Sequence, residues 1–229
     1  MKKEIIFTNT CSFLDVEKPI PASNNIPDWY AGLNSYIGDT RIPSANDKTP
    51  STIKKCMPVF DSIVFGYLIK SATDVFVTAV DGVSNFQWPS LDTINFHPIS
   101  QAPSHPYFNG QDYPKWRNVW SIKTPKGYST LFVQPFHRES VFTILPGVVD
   151  TDQYTAPVNF PFVLNDINFQ GIIPKGTPIA QVIPFKRDDW CMEFGKEEDF
   201  AEQFKITQNL KTKFFDGYKT TFRQTKTYK

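Results

Sequence analysis

The sequence is poor in cysteine and histidine and carries almost no surplus charge. Its three cysteines, Cys11, Cys56 and Cys191, are odd in number, far apart and without a CxxC pair. That fits free thiols in a reducing compartment better than a disulfide framework or a structural zinc site. His97, His105 and His137 are the only histidines, and none has a second ligand at HxxxH or HxD spacing. No dedicated metal site is expected. Basic residues number 24 and acidic residues 23, for a net charge of +1. No global field therefore draws the chain to nucleic acid or membrane, and any such role needs a local patch. The longest apolar run, "SIVFGYLI", falls far short of the ~18 residues that a membrane span needs. "MKKEIIFTNT" has too short an apolar run for a signal peptide. A soluble, cytoplasmic protein is the expectation. G-x-S-x-G, P-loop and dinucleotide glycine motifs are all lacking, so those enzyme classes find no support.

What the chain has in quantity is phenylalanine, 21 residues, and proline, 19. Aromatics favour pleated strands, and proline is excluded from helix interiors and central strands. The 229 residues are enough to bury a real core. Many short strands joined by proline-punctuated loops are predicted. "NNIPDWYAGLNSYI" reads as a short helix with Pro27 near its start. "STIKKCMPVFDSIVFGYLI" opens on a candidate cap, Ser51 or Thr52, and is interrupted by Pro58. From "TDVFVTAV" to "PIAQVIPF" the runs are strand-like, apart from a proline-rich excursion over residues 98–115. "KEEDFAEQFKITQ" is a helix near the end. The expected organisation is an N-terminal segment over 1–59, a β domain over 60–190, and a C-terminal helix and basic aromatic arm over 191–229.

Four motifs run in order through residues 60–187: "FGYLIKSATDVFV", "TPKGYSTLFVQPFHRES", "PGVVDTDQY" and "IPKGTPIAQVIPF". In order and spacing they resemble the motifs of the trimeric dUTPase and dCTP deaminase family, which has the β-clip fold. The implied fold class is mainly β, with a β-clip-like (dUTPase-like) core, short N-terminal helices, and a C-terminal helix plus arm. The whole chain is also similar to a protein family of bacteria and their phages that carries no assigned activity. By resemblance, Asp150 stands at the catalytic aspartate that activates water. Tyr154 stands at the tyrosine that packs on deoxyribose, Gln181 at the motif glutamine, and Ser140 at a phosphate-contacting serine. Arg138, in the turn "HRES", joins Ser140 in the best anion-contacting cluster, and Asp152 lies beside Asp150. One carboxylate for water, an aromatic face for sugar and donors for phosphate oxygens form a coherent set.

The sequence departs from the family at several points. Leu68 fills the aspartate position of "GYLI", and Gln153 is inserted, so Tyr154 follows Asp150 by four residues. Pro178 replaces a charged residue, "KTTFRQTKTYK" has no glycine for a phosphate loop, and "APVNFPFV" lacks the glutamate of the deaminases. By the resemblance, deamination is strongly disfavoured on that ground. The preferred reading is a non-catalytic ligand-binding or assembly protein. A nucleotide (dNTP-like) pyrophosphatase of altered specificity is the alternative, with Mg²⁺ entering only alongside a bound nucleotide.

Each site residue also has a plainer reading. Asp150 and Asp152 can cap a tight turn, Tyr154 can be sheet packing, and Gln181 can satisfy backbone. In the tail, Lys211, Lys213, Lys219, Arg223, Lys226 and Lys229 interleave with Phe214, Phe215, Tyr218, Phe222 and Tyr228. Such a segment can hold single-stranded nucleic acid or form an arm packed on its own or a neighbouring subunit. The arm is preferred, and no nucleic-acid partner is expected. The resemblance implies self-association, trimer first and dimer second, and a nucleotide-like small molecule as ligand.

Overall fold

The aromatic and β-branched runs pair into short antiparallel strands in a computed structural model. It describes residues 3–11, 16–38, 51–89, 92–107, 111–212 and 216–229. In chain order, β1 (Ile6–Asn9) and β2 (Ile20–Pro21) precede the helices α1 (Asp28–Gly32) and α2 (Met57–Val64). Next come β3 (Tyr67–Lys70), β4 (Val75–Val80), β5 (Val83–Gln87), β6 (Ile94–His97) and β7 (Tyr113–Trp116). β8 (Trp120–Lys123), β9 (Tyr128–Val133), β10 (Phe142–Ile144), β11 (Gly147–Val149) and β12 (Phe160–Leu164) follow. β13 (Gly171–Ile173), β14 (Pro178–Lys186), α3 (Glu197–Thr212) and α4 (Gly217–Thr221) are the last elements. The mainly β expectation, with short helices early and a longer one late, is borne out. The excursion over 98–115 is shorter than expected, because Tyr113 and Trp116 bury themselves and draw β7 into a sheet between β6 and β12. No helix among the described residues is long and apolar enough to cross a membrane.

By packing, the chain divides into two units. The first, Met1–Asn25 with Gly66–Arg187, holds the strands. Its largest sheet has the order β11-β9-β14-β3-β2. β14 lies at its centre, and Ile179 to Ile183 are buried consecutively because both faces are covered. The other sheets are β10-β12-β7-β6, β13-β4-β5 and β1-β8. β4 alternates Val75 and Val77 inward with Phe76 and Thr78 outward, then turns into β5 through Asp81 and Gly82. Both turn residues have positive φ, the conformation a two-residue hairpin selects. The core is aromatic: Trp116, Phe132, Phe142, Phe160 and Phe162 are fully buried, and the Trp116 and Phe162 rings stack at 5.0 Å. Each such side chain contributes on the order of 1.5–3 kcal/mol by leaving water.

The second unit is Ile26–Phe65 with Asp188–Lys229. Pro27 precedes α1 and Pro58 lies in the first turn of α2, positions where a missing N–H costs nothing. Tyr30, Ile63 and Val64 bury a small core with Ile26, Val59 and Phe60. Asp61, on α2, is buried and holds the tail. Its carboxylate accepts from Arg223 Nη2 at 2.6 Å, from Arg223 Nε at 3.0 and 3.2 Å, and from Lys226 Nζ at 2.9 Å. Burial pushes the Asp61 carboxyl upward, but the hydrogen bonds from Arg223 and Lys226 outweigh it and hold the group below the usual range. The Tyr228 ring meets Phe65 edge-on at 5.2 Å. The described part of the tail thus packs on its own chain.

Two variants test these contacts. Gly66 has φ +75°, and a Cβ there would sit 2.1 Å from the Val182 carbonyl oxygen. Gly66→Ala is expected to lower unfolding free energy in urea by at least about 2 kcal/mol, from left-handed strain plus backbone displacement. Asp61→Asn removes the charge that holds Arg223 and Lys226. Trypsin should then cut after those residues several-fold faster, with the β unit still folded by circular dichroism.

Candidate functional site

The turn after β11 folds on itself: the Asp150 carbonyl accepts from Gln153 N at 2.9 Å and Tyr154 N at 2.8 Å. Its two carboxylates have different surroundings. Asp152 is enclosed, with a side-chain exposure of 1%, and accepts from the Gly127 amide at 2.8 Å and both Arg187 terminal nitrogens at 2.9 and 2.5 Å. The Arg187 pair and the Gly127 amide hold its carboxyl at about 2. Asp150 is 62% exposed, and its Oδ1 accepts from Ser129 Oγ at 2.6 Å and Arg187 Nη1 at 3.2 Å. Tyr154 is exposed beside it.

Beneath the turn lies a buried hydroxyl cluster. Thr151 Oγ1 is 2.8 Å from both Thr124 Oγ1 and Thr130 Oγ1. β9 supplies Ser129 and Thr130, and the turn between β8 and β9 supplies Gly127. Arg187 follows β14 directly, where pairing ends at Lys186 opposite Tyr128, so it arrives at the level of Gly127 and donates its amide to that carbonyl at 2.9 Å. Sequence reasoning missed Arg187, Ser129 and the three threonines. The only signal was the position of Arg187 directly after the "IAQVIPFK" run, and it acquires meaning only through strand register.

The remaining candidates gather elsewhere. Gln181, buried in β14 opposite Leu68 of β3, accepts the Phe136 amide on Oε1 at 2.9 Å. Arg138 donates to the Phe136 carbonyl at 3.0 Å and to the Asn25 carbonyl, and burial holds its guanidinium down to about 10. Ser140 Oγ donates to the Phe142 carbonyl at 2.7 Å and accepts its amide at 3.2 Å. "GYLI" and "HRES" therefore meet through Gln181. Asp150, Asp152 and Tyr154 do not join them, because they adjoin the first residues of β9 and "HRES" follows its last. Six strand residues separate the two groups, a length of roughly 20 Å.

Chemically, the turn offers one exposed carboxylate oriented by a hydroxyl and a guanidinium. Two carboxylates against one guanidinium leave the cluster with an excess negative charge, which opposes a phosphate. Among the described residues no three His, Cys, Asp or Glu side chains gather as a metal site, and both carboxylates of the turn are shared with Arg187. A cavity of about 70 Å³ is lined by Phe86, Phe96, Tyr107, Tyr113 and Leu164 among others. It contains none of the residues singled out from sequence.

No family model matches this chain, and no curated protein does. Among solved structures it is similar to a point mutant of the dUTPase from phage phi11 of S. aureus, at 16% identity and a TM-score of 0.31, over 73% of this chain and 96% of that one. It is similar also to a point mutant of the Staphylococcus bacteriophage 80alpha dUTPase, at 17% identity and a TM-score of 0.30, over 72% of this chain and 86% of that one. The similarity to phage dUTPases is distant. Likenesses this remote assign no residue a role.

The Asp152 environment has a pH signature. Its folded pKa, about 2, lies below an unfolded value of about 3.9. Its contribution to stability is therefore complete above about pH 4 and is lost as pH falls toward 2. Unfolding midpoints measured from pH 6 to 2 should fall more steeply for the native chain than for Asp152→Asn, by the equivalent of up to about one proton taken up on unfolding. Parallel curves would contradict this account of the turn.

Proposed function

We propose that the chain is a non-catalytic assembly or ligand-binding protein built on a dUTPase-like scaffold. One observation carries the reading. The phosphate-type side chains of these motifs are engaged within the chain: Arg138 and Ser140 donate to backbone carbonyls, Gln181 accepts a backbone amide on Oε1, and Arg187 pairs with two carboxylates. Releasing Arg138 to a ligand would give up its hydrogen bonds to the half-buried Phe136 and Asn25 carbonyls. Electrostatic stabilisation of phosphate charge is the main work of a phosphoryl-transfer site, and here the nearest guanidinium is neutralised twice over.

Self-association belongs to the same proposal. The two groups of motif residues lie at opposite ends of β9, so a single site drawing on both needs two copies of the chain. The alternative reading, a nucleotide pyrophosphatase of altered specificity, draws on the exposed and oriented Asp150 carboxylate with Tyr154 beside it. Incubation with a panel of nucleoside and deoxynucleoside triphosphates and Mg²⁺, followed by pyrophosphate measurement, separates the two. No release above the blank is expected. Turnover that Asp150→Asn abolishes would overturn the proposal in favour of the pyrophosphatase.

A further inference from the structure

The largest unexplained feature of the second unit is α3 and the segment leading into it. Phe200 is 70% exposed and Phe204 53%, and their rings stack one turn apart at 6.3 Å. Just upstream, Trp190 is 91% exposed, and Met192 and Phe194 are exposed as well. The stacked Phe200 and Phe204 rings form an exposed apolar patch of the kind that marks an interaction surface. Ile206 and Leu210 are half-buried, and helical periodicity places them on a different face from Phe200 and Phe204. The phenylalanine face is therefore open.

Charge narrows what can cover it. Residues 188–204 contain seven acids, Asp188, Asp189, Glu193, Glu197, Glu198, Asp199 and Glu202, against the single base Lys196. A polyanion is repelled. Along the helix sequence the sign reverses: four of the acids lie in its first six residues, and the bases Lys205 and Lys211 come after them with no further acid. A helix whose sequence is acidic at one end, aromatic in the middle and basic at the other complements its own copy turned end for end, which is what a two-fold interface requires. The heptad spacing agrees. Positions 197, 200, 204, 207 and 211 share one face at a mean spacing of 3.5 residues and read Glu, Phe, Phe, Thr, Lys. Position 204 is midway between 197 and 211.

We propose that α3 is a self-association surface on which two copies of the chain pair antiparallel about Phe204, with Glu197 of each copy at the level of position 211 in the other. The antiparallel sense also opposes the two helix dipoles, whereas a parallel pair would set acid against acid. The inference rests on the assembly reading above and names its surface.

Sedimentation of the full chain at micromolar concentration tests it, using Glu197→Lys, Lys211→Glu, the two combined, and Phe204→Glu. Each single swap is expected to weaken association about tenfold, since two symmetry-related contacts become repulsive. The combined swap should restore the native value, and Phe204→Glu should abolish association while far-ultraviolet circular dichroism is unchanged. An oligomer indifferent to all four variants would overturn α3 as the surface and leave self-association standing. Weakened single swaps without restoration would overturn the antiparallel register, and a native chain that sediments as a monomer would overturn both proposals.

Discussion

Arg187 closes one end of the β unit. It stands one residue beyond β14, where the six-residue pairing with β9 runs out, and its guanidinium reaches Asp150, Asp152, Ser129 Oγ and the Tyr128 carbonyl. Three segments distant in sequence are tied at that point: the β8–β9 turn, the turn after β11 and the end of the central strand. Asp152 is nearly excluded from water, so an uncompensated carboxylate would remain if the guanidinium left. The constraint is therefore geometric as well as electrostatic. It fixes which way the turn faces and leaves Asp150 as its outward carboxylate.

The other end of β9 is closed by a different device with the same consequence. Gln181 takes the Phe136 amide, Arg138 takes carbonyls of Phe136 and Asn25, and Ser140 clasps Phe142. Each of these side chains belongs to a type that can bind a phosphate. Here each hydrogen-bonds part-buried backbone of its own chain. Among the motif residues the polar groups at both ends of β9 are thus engaged within the chain, and those left facing outward are the Asp150 carboxylate and the Tyr154 phenol.

The fold was legible in the sequence wherever aromatic and β-branched runs were bounded by proline or glycine. "STLFVQPF" and "PIAQVIPF" became β9 and β14, and Pro27 marked the start of α1. The run "SVFTILPGVV" became two strands, β10 and β11, because Pro146 separates them. Legibility ended where register decides. Nothing local in "FKRDD" places Arg187 beside a turn more than 30 residues earlier in the chain. The turn reading of Asp152 accounts for the contact with its own backbone, but its larger partners, Arg187 and the Gly127 amide, come from segments far away in the sequence. The role of Arg138 was equally hidden, since its carbonyl partner Asn25 lies far upstream.

The account stands or falls on whether phosphate-bearing ligands find a site. The most direct measurement is a calorimetric titration of the full chain with non-hydrolysable deoxynucleoside triphosphate analogues and Mg²⁺, which reads binding without requiring turnover. With the guanidinium and hydroxyl groups engaged internally, no saturable heat should appear up to millimolar ligand. Saturable micromolar binding that Asp150→Asn or Tyr154→Ala weakens would contradict the internal engagement of these groups and leave ligand binding, not assembly, as the surviving half of the proposal.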